Sequence, residues 1–185
     1  MNKELNLTVP LPPSVNKYLG KKVGYKNGAP YVIVYETVEA KRYKANILRL
    51  TTKAKNRVNW KQTDENTYIV CELDIYLARK RQDSDNFFKV LLDSLTGAGI
   101  FYDDSMVIPR VKNVYIDTEN PRINLTIKIA DKIGVFGKSE YDSFLEKNCF
   151  KCRKSTQKCS LLKNSLENRI VNEIDLEAQV CKKLK

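Results

Sequence analysis

Asp83, Asp85, Asp103 and Asp104 are the side chains best suited to do chemistry in this sequence, and they fall in two pairs at the ends of one stretch, RKRQDSDNFFKVLLDSLTGAGIFYDDSMV, Arg79 to Val107. The chain contains no histidine. That absence excludes imidazole general bases, histidine nucleophiles, Ser-His hydrolysis and zinc sites with His ligands, and leaves carboxylates, lysines and metal-bound water. If the two acidic pairs meet, their repulsion is relieved by a hard cation with oxygen ligands. Magnesium is such a cation, and a pair of ions about 4 Å apart can activate water and stabilise the leaving oxygen in phosphodiester hydrolysis. Lys89, one turn after Asp85, shares its helix face and suits charge building up on a phosphorane, and Asp93 continues that face where it can hold Lys89 in place. Each piece also has a plainer reading. Asp83 or Asp85 can cap a helix, Lys89 and Asp93 can be an i,i+4 ion pair, and Asp103-Asp104 can make a turn.

The surrounding elements must bring these residues together. Tyr68 to Leu77 reads as a strand and ends in the basic loop ARKRQ, after which Asp83-Ser84-Asp85-Asn86 opens a helix with Phe87, Phe88, Leu91, Leu92 and Leu95 on one stripe and Gly97 and Gly99 as the stop. A helix of some twelve residues is about 18 Å long, so proximity of the acidic pairs requires the chain to fold back along it. Upstream, Leu5 to Val9 is a short strand and PLPPSVNKY an extended, proline-stiffened loop. Lys22 to Tyr35 is a hairpin about Asn27-Gly28, and Val38 to Lys55 an amphipathic helix. Downstream, Val107 to Ile116 and Arg122 to Ile129 are strands joined by the turn DTENP. This order predicts an α/β (α+β) domain, a mixed sheet with helices packed on one face, over residues 1–133. Residues 134–185 form a small helical, Cys-containing C-terminal extension with a helix from about Ser160 to Val180.

Lys and Arg number 33 against 22 Asp and Glu, a net charge of +11 that favours nucleic acid or an anionic surface as partner. With 42% hydrophobic residues the chain can bury a core, yet it has no signal-peptide run and nothing near the roughly 20 apolar residues of a membrane span. A cytoplasmic protein with no membrane partner is expected. Five cysteines, an odd number, suit reduced thiols or a metal site better than a disulfide framework.

The sequence resembles the RusA Holliday junction resolvases, whose pattern is D-x-D-N, a Lys four residues past the second Asp, D-x-L, a glycine turn and D-D-x-x-V. Here it reads Asp83, Asp85, Asn86, Lys89, Asp93, Leu95, Gly99, Asp103, Asp104 and Val107, in register. Pro12, Pro13, Ser14 and Asn16 look like the family's early P-P-S-x-N segment, so the resemblance spans roughly Leu5 to Ile129. It implies a magnesium-dependent endonuclease that resolves four-way DNA junctions by paired nicks, with catalytic, metal-holding Asp83, Asp85 and Asp104 and an essential Lys89. Asp103 is a further candidate ligand. Two symmetric cuts in a nearly two-fold junction are most simply made by a homodimer. Phosphate contacts are expected from Asn16, Lys17, Lys21, Lys22, Arg79, Lys80 and Arg81, which position the junction without reading bases.

Two other readings fit the same residues: a non-catalytic nucleic-acid binder whose loops and Tyr18 or Tyr102 hold DNA or RNA, and a metal nuclease acting on flaps or forks. A pure binder gains nothing from carboxylates inside a basic surface. In the extension, Cys149, Cys152 and Cys159 form C-x2-C-x6-C, whose first pair has zinc-knuckle spacing, with Cys181, an acidic residue or water as candidate fourth ligand and packed free thiols as the alternative.

Overall fold

A computed structural model describes residues 4–184, with the side chain of Asp85 outside the described residues. The chain divides into two compact units, Met1–Glu65 with Ile69–Ile129, and Asn66–Tyr68 with Ala130–Lys185.

The first unit is built on a four-stranded sheet. Strands β1 (Glu4–Pro10), β4 (Ile69–Leu77), β5 (Val107–Ile116) and β6 (Arg122–Ile129) lie in the order β1-β6-β4-β5. Alternation puts Leu5, Leu7 and Val9, then Ile123, Leu125 and Ile127, on one face, where Cys71, Leu73 and Ile75 of β4 join them. Helices α2 (Val38–Val58) and α3 (Phe88–Gly97) cover that face through Ala40, Tyr43, Ile47, Val90, Leu91 and Leu95. Each large side chain so buried contributes about 1.5–3 kcal/mol relative to exposure. The mixed sheet with helices on one face is therefore present. β6 is antiparallel to both its neighbours, whereas β4 and β5 run parallel, Ile69 opposite Val107 and Leu77 opposite Ile116. A parallel pair needs a crossover, and α3 supplies it.

The hairpin forms from β2 (Leu19–Lys26) and β3 (Ala29–Glu36), with Asn27 and Gly28 both at positive φ as a tight two-residue turn requires. Thr37 caps α2 by accepting from the Ala40 amide, and Asn59 ends it in the left-handed conformation. Gly99 does the same for α3 at φ 66°: the Ile100 amide donates to Leu95 O and the Gly99 amide to Thr96 O, which closes the helix. In PLPPSVNKY the extended reading holds only to Ser14, because Val15–Tyr18 coil into a one-turn helix, α1, that buries Tyr18. The prolines forbid helix only up to their own positions, and nothing after Pro13 prevents a turn.

The second unit has β7 (Lys132–Ile133) paired with β8 (Phe136–Gly137), helices α4 (Lys138–Lys147) and α5 (Ser160–Leu166), and β9 (Ile174–Asp175) paired with β10 (Val180–Cys181). The expected helix over Ser160 to Val180 thus stops at Leu166. Asn168 takes φ 63°, its amide donates to Ser165 O and that of Arg169 to Asn164 O, so an asparagine αL cap ends the helix and a hairpin follows. The unit's core is small: Phe136, Phe144, Leu162 and Ile174 are its buried apolar members. Among the described residues no helix is long and apolar enough to cross a membrane.

Candidate functional site

β4 delivers the chain into the loop that carries the first acidic pair. In that loop Arg81 sits at φ 60°, a strained choice for a residue with a Cβ, and the Ala78 amide donates to Gln82 Oε1 across the turn. The turn sets Asp83 in a cleft of about 340 Å³ with Pro12, Pro13, Ser14 and Lys17, facing Arg79, Arg81, Asn86 and Glu39. β1 runs parallel to β4, since both are antiparallel to β6, and so its proline continuation ends beside Asp83. The order is simple: a proline wall, a cationic rim and a carboxylate. Of the expected phosphate contacts, Lys17, Arg79 and Arg81 line this cleft; Asn16 and Lys80 are exposed nearby in sequence, and Lys21 and Lys22 are exposed on the β2–β3 hairpin. Glu39, in the first turn of α2, is a cleft carboxylate that sequence reasoning missed, and only its place after the hairpin hinted at it.

A 3-10 turn over Asp85–Phe87 leads into α3 and orients Lys89 and Asp93 on one side of it. Lys89 Nζ stands 3.7 Å from Asp93 Oδ2, an exposed ammonium tied to a more sheltered carboxylate. Behind it, the Tyr18 hydroxyl lies 3.0 Å from Asp93 Oδ2 and 3.1 Å from Glu36 Oε1, and Lys44 pairs with Glu36 and stands over the Tyr18 ring at 5.2 Å. Burial is the main reason the Tyr18 hydroxyl is held above its ordinary range, and the bond from Lys44 is the main reason Glu36 is held below its own. Tyr18, which the binding reading would use to hold DNA or RNA, is instead 4% exposed and works as a strut between α1 and α3. Tyr102 is exposed.

The second acidic pair is fixed by the far end of α2. Trp60 Nε1 donates to Ile100 O at 2.9 Å, and Lys55 Nζ to Ala98 O and Gly99 O at 3.1 and 2.9 Å. These bonds hold the loop that presents Asp103 and Asp104. Asp103 Oδ1 accepts from the Ser105 amide at 2.9 Å and from its hydroxyl, and these bonds lower its pKa, so Asp103 is the cap of the 3-10 turn Asp104–Met106. Asp104 is left half-buried beside it, just before Val107.

Within one chain Asp83 and Asp104 lie at opposite ends of β4. Asp83 lies beyond the Leu77 end of β4, in the cleft it shares with the proline continuation of β1, and Asp104 comes just before Val107, which lies opposite Ile69, the first residue of β4. The nine residues of β4 span about 26 Å at the usual rise, whereas two oxygens on one magnesium ion lie at most about 4.2 Å apart. Accordingly, among the described residues no three Cys, Asp or Glu side chains stand close enough to hold an ion. The expected return along the helix does not happen before Asp104: the chain runs back only as β5, so Asp104 stays at the end of the sheet opposite Asp83. The donors at both ends are hard carboxylate oxygens, which suit magnesium in kind.

In the second unit, Cys149, Cys152, Cys159 and Cys181 all line one cavity of about 240 Å³. Burial raises the Cys149 thiol to about 11, helped by the charge of the other three.

The family model described as endodeoxyribonuclease RusA matches residues 10–128. The chain belongs to the RusA family. Similar relatives include the crossover junction endodeoxyribonuclease RusA of Escherichia coli (strain K12), 30% identical over 123 residues that cover 66% of this chain and 92% of the relative. Over the same shares of each chain, that of Shigella sonnei (strain Ss046) is 29% identical and that of Enterobacteria phage 82 is 28% identical. The RusA match takes in both acidic pairs and Lys89 and stops at residue 128, before the four clustered thiols.

Proposed function

We propose that this protein is a structure-selective endodeoxyribonuclease that resolves four-way DNA junctions by paired, magnesium-dependent nicks, and that it does so as a homodimer with composite sites. Its relatives' name, crossover junction endodeoxyribonuclease, supports the substrate class. The supporting observation in this chain is the separation of the acidic pairs across β4, which leaves each end of one chain with half a ligand set. A two-fold axis that runs the β5 edges of two chains antiparallel side by side carries the partner's Asp104 to the end where Asp83 and Asp85 lie, and the reverse. β5 suits this, since it is an edge strand with Val111, Val114, Tyr115 and Ile116 all exposed.

In this reading Asp83 and Asp85 of one chain and Asp104 of the other hold the magnesium, which supplies an activated water and charge stabilisation at the phosphate. Lys17, Arg79 and Arg81 bind the junction backbone, with Asn16, Lys21, Lys22 and Lys80 as further contacts. Lys89, held by Asp93 and through it by Tyr18, presents a cation to the negative charge that develops on the phosphoryl oxygens. Asp103 shapes the turn and is not needed as a ligand. Junction DNA and reduced thiols both suit the cytoplasm.

Incubation of the protein with a synthetic four-way junction and with a linear duplex of the same arms, in magnesium and in EDTA, tests the reading. Symmetric nicks confined to the junction, dependent on magnesium and lost in Asp85→Asn, are expected. Tight junction binding without cutting in any divalent metal would replace the nuclease by a binding protein, and faster cutting of flaps or forks would change the substrate.

A further inference from the structure

We infer that Cys149, Cys152, Cys159 and Cys181 form a four-thiolate zinc site that holds the second unit together, independently of the nuclease reading. The cysteines are C-x2-C-x6-C-x21-C in sequence and come from one 3-10 turn, the start of α5 and β10. Cys149 opens a 3-10 turn, and the Cys152 amide donates back to Cys149 O at 3.2 Å, which turns the first pair toward one side. Cys159 stands at the start of α5, after a second 3-10 turn. Cys181 lies on β10, remote in sequence, yet a specific device brings it in. Asn148, buried and adjacent to Cys149, accepts from the Cys181 amide at 2.9 Å and donates to Gln179 O at 3.0 Å and to Phe144 O at 3.0 Å. One side-chain amide therefore clamps the β9–β10 hairpin to the end of α4 so that the fourth thiol joins the other three.

The contrast with Cys71 separates a metal site from packed thiols. Cys71 is fully buried in the sheet core, where a reduced cysteine behaves as a small apolar side chain. The other four are each partly exposed and border a single cavity instead of filling it. Their side chains line the space without yet standing close enough to hold an ion, and rotation about χ1 is the adjustment that binding asks of them. Four thiolates around Zn²⁺ carry a net negative charge, and Lys154 and Lys183 line the same cavity to offset it. Each thiol gives up its proton to solvent as its sulfur binds, so no oxidant or reductant is needed. The unit needs such a staple: fewer than about 70 residues with so few buried apolar side chains rarely hold a fold unaided.

The test uses the full chain purified in reducing buffer without chelator. Elemental analysis should find one zinc per chain, unchanged in Cys71→Ala and lost in Ser substitutions at each of the four cysteines. Replacement of the metal by cobalt(II) should give the intense absorption of tetrahedral cobalt with thiolate charge transfer, a readout on the unmutated protein that does not depend on the variants folding. Metal-free protein that gives only the weak spectrum of hydrated cobalt overturns the site, as does zinc retained in all four variants. An intact mass showing that the four thiols pair as disulfides in non-reducing buffer overturns it as well.

Discussion

Composite sites make a sharp prediction for mixed dimers. Asp83→Asn and Asp104→Asn each remove one ligand, so each homodimer should bind junctions and cut none. In an equal mixture with free exchange about half of the dimers are mixed, and in a mixed dimer one site collects both substitutions while the other has neither. About a quarter of all sites is then intact, and the mixture should regain about a quarter of the wild-type nicking rate. The products should be single nicks, since no mixed dimer has two working sites. Sites contained within one chain predict no recovery at all, because every site would carry one substitution or the other. The geometry behind the prediction is the contrast between about 26 Å along β4 and about 4 Å across a shared ion, too wide for side-chain motion to close. Nicked and resolved junctions are distinguished on denaturing and native gels, and exchange is verified by co-purification of differently tagged chains. Verified exchange with no recovered nicking would refute the composite site.

Two further outcomes follow from the same geometry. Tyr18→Phe removes one hydroxyl proton shared between Asp93 and Glu36, each of which keeps its lysine, so urea unfolding should show a loss of about 1.5–3 kcal/mol, the range for one charge-assisted bond; cutting should slow through Lys89, and a stability unchanged within error would remove Tyr18 as a strut. Junction affinity should fall linearly with log salt, and Arg79→Ala should reduce that slope by about 0.9, one phosphate contact, in a fluorescence anisotropy titration across salt concentrations; an unaltered slope would take Arg79 off the backbone.

Much of this protein was determined by local sequence. Period-two alternation fixed β1, β4 and β6, because one face of each had to be buried, and Asn27-Gly28 fixed the hairpin through the positive φ its turn demands. Gly99 stopped α3 for the same local reason, and the spacing of Asp83, Asp85, Lys89 and Asp104 is legible without any fold. Helix ends with non-glycine caps were harder. Asn168 alone does not announce that α5 ends there, since asparagine is also tolerated within helices.

The distances between the motifs were decided by tertiary structure. The direction of β5 relative to β4 determines whether Asp104 returns to Asp83 or ends a strand's length away, and that direction follows from α3 carrying the chain back to the start of β4 before β5 begins, not from any residue near the aspartates. Tyr18 looked available for DNA because an aromatic beside a proline loop is ambiguous until its hydroxyl finds Asp93, which is 75 residues away. Likewise the spacing of the cysteines suggests a metal, but only the bond from the Cys181 amide to Asn148 shows how the last thiol reaches the other three. Local chemistry depends on backbone preferences that each residue carries with it, whereas a site made of distant residues exists only when packing has chosen among topologies of similar local cost.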